Sequence, residues 1–236
     1  MCEPPLVKIC GLREIVHVDA AVASGADFVG VIFAESPRRA SLEQARAIRA
    51  RLGPRIPILN AEASAVTAAR RAAGRPLLVG VFADQAPETI NRIAVGADLD
   101  LVQLSGGEHP ALIGRLNRPV LRVLHVGPED SSERLLAEAR RLPPAITLLD
   151  TRDAARRGGS GRSFDWSIAA AVAARRPLML AGGLEPENIA PAVAQVRPWA
   201  VDVSSGVERA GRKDSARIAA FIKAAVQAPA AMRDPS

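Results

Sequence analysis

The sequence predicts a single (β/α)8 barrel, and three observations carry that expectation. Eight short apolar runs alternate with longer alanine-rich stretches, the runs are apolar at consecutive positions, and no long linker breaks the order. Strands covered on both faces read as continuous hydrophobic runs, the habit of parallel strands flanked by helices. Repeated strand–helix units either close into a barrel or spread as a doubly wound sheet. The glycine-rich fingerprint after the first strand of many doubly wound sheets is missing, so the open sheet is the second choice.

The runs are "LVKIC" (6–10), "DFVGVIF" (27–33), "LLVGVF" (77–82), "LVQL" (101–104), "VLRVLHV" (120–126), "AITLLD" (145–150), "PLMLAG" (177–182) and "AVDVSS" (200–205). Between them, "SLEQARAIRARL" opens on Ser41 as N-cap, with Gln44 three residues on completing a capping box. "EPENIAPAVAQV" carries Pro186 near its start, where a missing N–H costs little, and "KDSARIAAFIKAAV" follows the eighth run with helical spacing. The stretch over 53–76 exceeds a normal connection and reads as an extra helical excursion before the third strand, a surface insertion without a functional role. One domain is expected over 1–226 and a flexible tail over 227–236.

Composition excludes several functions. The chain of 236 residues is 48% hydrophobic and 24% charged, as soluble globular proteins are. Cys2 and Cys10 are the two cysteines, too few for a disulfide framework, and no secretory leader or membrane-length apolar run is seen. A cytoplasmic protein is expected. The net charge of +6 comes mostly from arginine scattered along helical stretches, with aromatics at 3%. A stacking platform for nucleic acid is therefore not expected. His17, His109 and His125 share no ligand spacing, so no metal is expected, and no nucleotide-cofactor motif is present.

In a barrel, chemistry gathers where strands end. Gly182 and Gly183 end the seventh run; Asp202, Ser204, Ser205 and Gly206 end the eighth; and "GGSG" with Gly159 and Gly161 follows the sixth. Glycines let backbone amides approach an anion, and the seventh and eighth strand ends are the usual phosphate position of such barrels. These glycines also suit plain turns. Cys10 ends the first strand and Asp150 the sixth, a pair suited to general acid–base work across a bound substrate. That role asks for a thiol helped toward thiolate by Lys8 or amide dipoles, and for a carboxyl kept protonated by desolvation. A small buried hydrophobe is the other reading of Cys10.

"VKICGL", "GADFVGVIFAESPRRAS", "VGVFAD", "VQLSGGE", "LLDT…GGSGRSFDW", "LAGGLEPENI" and "VDVSSGVE…GRKD" occur in that order, and together they resemble the phosphoribosylanthranilate isomerases of tryptophan biosynthesis. The resemblance spans about residues 6 to 226. It implies an Amadori rearrangement of N-(5'-phosphoribosyl)anthranilate without a cofactor, with Cys10 as general base and Asp150 as general acid. It further implies Arg38, or its neighbour Arg39, on the anthranilate carboxylate and Asp202 near the ribose. Gly159, Gly161, Gly182, Gly183, Ser204, Ser205 and Gly206 fall in its phosphate grip. Ser105 stands where the family pattern has histidine, and Gly107 also departs from it. These departures leave open a related isomerase of another phosphorylated aminosugar, or a non-catalytic sugar-phosphate-binding protein.

Overall fold

The computed structural model describes residues 3–58, 60–127, 129–141, 145–151 and 165–231. Eight parallel strands close into a barrel in chain order: β1 (Leu6–Ile9), β2 (Phe28–Ile32), β3 (Leu77–Phe82), β4 (Leu101–Leu104), β5 (Val120–Val126), β6 (Ile146–Thr151), β7 (Leu178–Leu180) and β8 (Ala200–Val203). The seam is the parallel β1–β8 pairing, with Lys8 opposite Asp202 and Ile9 opposite Val203.

Side chains alternate across each strand, so every strand feeds two cores. Leu77, Leu101, Leu121, Ile146, Met179 and Ala200 pack with one another inside the barrel. Val7, Ile9, Val29, Leu78 and Val201 belong to a second core shared with the surrounding helices. Burial on both faces is what made the runs read as unbroken hydrophobic segments.

The helices are α1 (Ile15–Ala23), α2 (Leu42–Leu52), α3 (Ala63–Ala73), α4 (Pro87–Gly96), α5 (Ser132–Arg141), α6 (Trp166–Ala173), α7 (Ile189–Val196) and α8 (Ser215–Ala231). The capping box of α2 is present: the Gln44 N–H donates to Ser41 Oγ at 3.1 Å and the Ser41 N–H to Gln44 Oε1 at 2.9 Å. Three details differ from the expected pattern. The connection between β4 and β5 is a 3-10 helix over Pro110–Arg115, begun by His109, whose Nδ1 accepts from the Ala111 N–H. Pro186 lies in the turn ahead of α7 and not inside the helix. Finally, α8 runs on through Ala231.

The extra helix α3 has a structural job. Val66 on it is fully buried in the interior core beside Phe28 and Leu77, which begin their strands. Thr67 Oγ1 accepts from Trp199 Nε1 at 3.0 Å, and Trp199 meets Phe28 edge to face. The excursion thus closes the N-terminal end of the barrel, opposite the strand ends expected to carry chemistry. Asp100 ties down the segment ahead of it, accepting from Arg49 Nη2 and from the N–H groups of Ile56 and Leu78, each at 2.6 Å.

Candidate active site at the barrel mouth

Cys10 stands one residue beyond β1, and its N–H continues the ladder by donating to the Val203 carbonyl at 2.8 Å. Its thiol is buried, and room for it is made on β2, where a Cβ on Gly30 would lie 2.9 Å from the sulfur and 3.2 Å from Lys8 Cε. Two residues below, Lys8 is wholly buried among interior side chains. Its ammonium donates to Asp202 Oδ2 at 2.9 Å and crosses the barrel to Gln103 Oε1 on β4 at 2.7 Å. A buried charge needs this pairing, because the low-dielectric interior penalises an isolated ion.

The same charges act on the thiol. Burial pushes the Cys10 thiol up; Lys8 and Lys213 pull it down, and Asp202 pushes it up again, leaving it above its ordinary value. The base role asks for a thiol helped toward thiolate by Lys8 or amide dipoles; desolvation outweighs the pull of Lys8, so the free protein holds a thiol. Burial also works against the Lys8 ammonium, yet Asp202 and Cys10 outweigh it and its pKa ends raised.

Asp150 lies near the C-terminal end of β6, on the same alternation as Ile146 and Leu148, which pack inside the barrel. It is half-buried and stands in register with His125 of β5. His125 Nε2 meets the Ser105 carbonyl at 2.8 Å, and Gln103 Nε2 donates to Ser105 Oγ at 3.1 Å. Cys10 and Asp150 therefore both stand at the C-terminal ends of their strands, at the same mouth of the barrel.

Arg38 and Arg39 separate cleanly. Arg39 forms a bridge with Ile32 and its side chain is exposed, whereas Arg38 turns toward the β8 end and pairs with Glu208 through both acid oxygens. Glu208 begins β9 (Glu208–Arg209), which forms a small hairpin with β10 (Arg212–Lys213). Lys213 Nζ lies 2.9 Å from Glu208 Oε1 and donates to the Ser204 carbonyl at 2.8 Å. Burial alone would raise the Glu208 carboxyl; hydrogen bonds from Arg38 and Lys213 and their charges bring it down to about 2. Glu208 and Lys213 lie in "DVSSGVE…GRKD", but nothing in that segment alone ties them to Arg38.

The loops after β7 and β8 touch. A Cβ on Gly206 would lie 1.9 Å from the Leu184 carbonyl oxygen, so only glycine lets the two backbones meet there. Gly182 and Gly183 both hold positive φ, at 89° and 64°. Ser205 is exposed at the start of a 3-10 helix over Ser205–Val207, while the Ser204 hydroxyl is turned to the Cys10 carbonyl and to Lys213, each at 3.4 Å. Gly159 and Gly161 lie outside the described residues. Among the described residues no group of three or more His, Cys, Asp or Glu side chains is placed to hold a metal ion, and no helix is long and apolar enough to cross a membrane.

A sequence model of the N-(5'-phosphoribosyl)anthranilate (PRA) isomerase family matches residues 59–224. The chain belongs to that family. A PRA isomerase of Dehalococcoides mccartyi is 43% identical over 221 residues, covering 92% of this chain and 93% of that protein. The crystal structure of the Thermotoga maritima isomerase superimposes with a TM-score of 0.77 at 38% identity, covering 94% of this chain and 98% of that one. A further PRA isomerase structure holds reduced 1-(o-carboxyphenylamino)-1-deoxyribulose 5-phosphate; it is 36% identical with a TM-score of 0.74 over 94% of this chain and 98% of that one. This chain thus shares its fold with both structures.

Proposed function

We propose that this chain isomerises N-(5'-phosphoribosyl)anthranilate to its 1-deoxyribulose 5-phosphate product in tryptophan biosynthesis, by general acid–base catalysis without a cofactor. One observation carries the reading: a thiol and a carboxyl end β1 and β6 at one barrel mouth, beside a glycine-built junction of the loops after β7 and β8. The family membership and the ligand of the related structure support the substrate class.

In this reading the 5'-phosphate is held by backbone N–H groups around Gly182, Gly183, Ser205 and Gly206, with Gly159 and Gly161 proposed as a further wall. Asp202 lies near the ribose, and Arg38 receives the anthranilate carboxylate. Binding energy from the phosphate, which does not react, fixes the sugar between the two catalytic groups. Asp150 donates its proton to the furanose ring oxygen, the C1'–O bond breaks, and a positively charged Schiff base forms on the anthranilate nitrogen. Cys10 then takes the C2' proton, and the C2'–H electron pair moves to neutralise the iminium and give an enolamine. Tautomerisation to the ketone completes the Amadori rearrangement. A resting thiol is compatible with this order, because the iminium brings positive charge beside Cys10 at the moment a base is needed, and an opposite charge favours the thiolate. Ser105 cannot supply the ring of the histidine usual there, and Gln103 and His125 hold it in place.

The free thiol of Cys10 suits a reducing compartment, which supports a cytoplasmic location. Fluorescence-monitored turnover of synthetic phosphoribosylanthranilate tests the function, with complementation of a tryptophan-requiring strain as the cellular check. No turnover by the wild-type protein removes the reading.

A further inference from the structure

A guanidinium has two edges able to grip a carboxylate: a side edge of Nε with Nη2, and an end edge of Nη1 with Nη2. In this fold the side edge of Arg38 is already taken. Its Nε donates to Glu208 Oε1 at 2.5 Å and its Nη2 to Oε2 at 2.8 Å. Lys213 holds the same carboxylate and is anchored in turn on the Ser204 carbonyl, so the pair is tied to the end of β8. The stem of Arg38 runs across Gly11, where a Cβ would lie 3.0 Å from its Cδ. The Glu208 side chain is 7% exposed and that of Arg38 23%, so the acid is covered and the guanidinium faces outward.

We propose that Glu208 is a specificity-determining positioning residue. By occupying the side edge it fixes the plane of the Arg38 guanidinium and leaves the end edge to receive the substrate's carboxylate from one direction. The inference rests on the isomerase reading above and deepens it. In phosphoribosylanthranilate the carboxylate is ortho to the nitrogen bearing the sugar, so its direction of approach also sets where that nitrogen lies relative to Cys10. Meta and para isomers carry the same charge but put the nitrogen elsewhere. Charge alone does not separate them; an oriented fork does.

The experiment measures 2-, 3- and 4-aminobenzoate and inorganic phosphate as competitive inhibitors of phosphoribosylanthranilate turnover by wild type, Glu208→Gln and Glu208→Asp. The wild type is expected to favour the 2-isomer. In Glu208→Gln the preference for the 2-isomer over the others falls about tenfold, the scale of one charge-assisted hydrogen bond. Removing the acid adds net positive charge, but that acts on all three isomers alike and cancels in the ratio. Glu208→Asp keeps the charge and loses the reach, so it too loses preference, while the inhibition constant of phosphate stays within about twofold in both variants. An unchanged isomer ratio overturns the proposal. So does a wild-type ratio in Glu208→Asp beside a collapsed one in Glu208→Gln, which assigns the effect to charge. A parallel loss of phosphate binding also overturns it, since the hairpin then merely supports the whole site. Wild-type turnover with an unchanged ratio sinks this inference alone; absence of wild-type turnover sinks the isomerase reading beneath it.

Discussion

Replacing Lys8 with methionine removes a fully buried ammonium and leaves Asp202 without its cation. At 2.9 Å and an effective dielectric of about 20, the attraction between the two charges is on the order of 6 kcal/mol. Desolvation of both ions offsets much of that, so the intact pair adds little net stability, but breaking it strands a covered carboxylate at a cost of about 3–5 kcal/mol. Among the described residues Asp202 Oδ1 is already buried without a hydrogen-bond partner, and none of them offers a second donor ready to take over. For a chain of this size the loss corresponds to a fall in Tm of about 6–20 °C. Thermal unfolding followed by circular dichroism reads it. The double variant Lys8→Met with Asp202→Leu should recover most of the loss, since both charges are then gone. A single variant within 0.5 kcal/mol of wild type (about 1–2 °C), or a double variant as unstable as the single, refutes the reasoning.

Cys10→Ala and Asp150→Asn should each lower turnover by at least about 10²-fold while the purified proteins keep their circular dichroism spectra; a loss below threefold in either removes that residue from the acid–base pair. Alkylation of Cys10 by iodoacetamide in the free protein should stay slow at neutral pH and rise only through a pKa above the ordinary thiol range, because burial holds the proton on; rapid alkylation at pH 7 contradicts this. Gly206→Ala forces a methyl against the Leu184 carbonyl, so a cost of about 1–3 kcal/mol and a weaker inhibition by inorganic phosphate are expected, read by denaturant titration and steady-state kinetics. The Glu208 carboxyl, held at about 2 against an ordinary 4.5, adds stability that is full above the ordinary value and lost as pH falls through the lower one. Between those values Tm should drop less steeply for Glu208→Gln than for wild type.

The barrel is legible in the sequence because burial on two faces leaves a mark that survives in one dimension: "LLVGVF" has no polar alternate positions. The capping box of α2 is legible for a similar reason, since its partners stand three residues apart. What joins distant residues leaves no such mark. The connection over Pro110–Arg115 is too short and too rich in proline and glycine to reveal its turn type. Nothing in "ASAVTAARRAA" shows that Val66 seals the barrel floor, because that burial is created by Phe28 and Leu77. At the mouth, strand-end position made Cys10, Asp150 and the glycines stand out. The grip of Glu208 on Arg38 spans 170 residues and exists only in three dimensions. The direction of the Cys10 shift was hidden for the same reason: Lys8 is visible two residues away, but the desolvation that outweighs it comes from the closed fold.

The seam between β1 and β8 has a temporal meaning. Lys8 and Asp202 are 194 positions apart, and Lys213, which also tunes the sulfur, comes later still. A ribosome must release nearly the whole barrel before these groups can meet, so every shorter nascent intermediate carries an untuned, solvent-open cysteine. Reactivity at that sulfur therefore reports ring closure itself. A pulse of alkylating reagent during refolding would time the joining of the first and eighth strands directly.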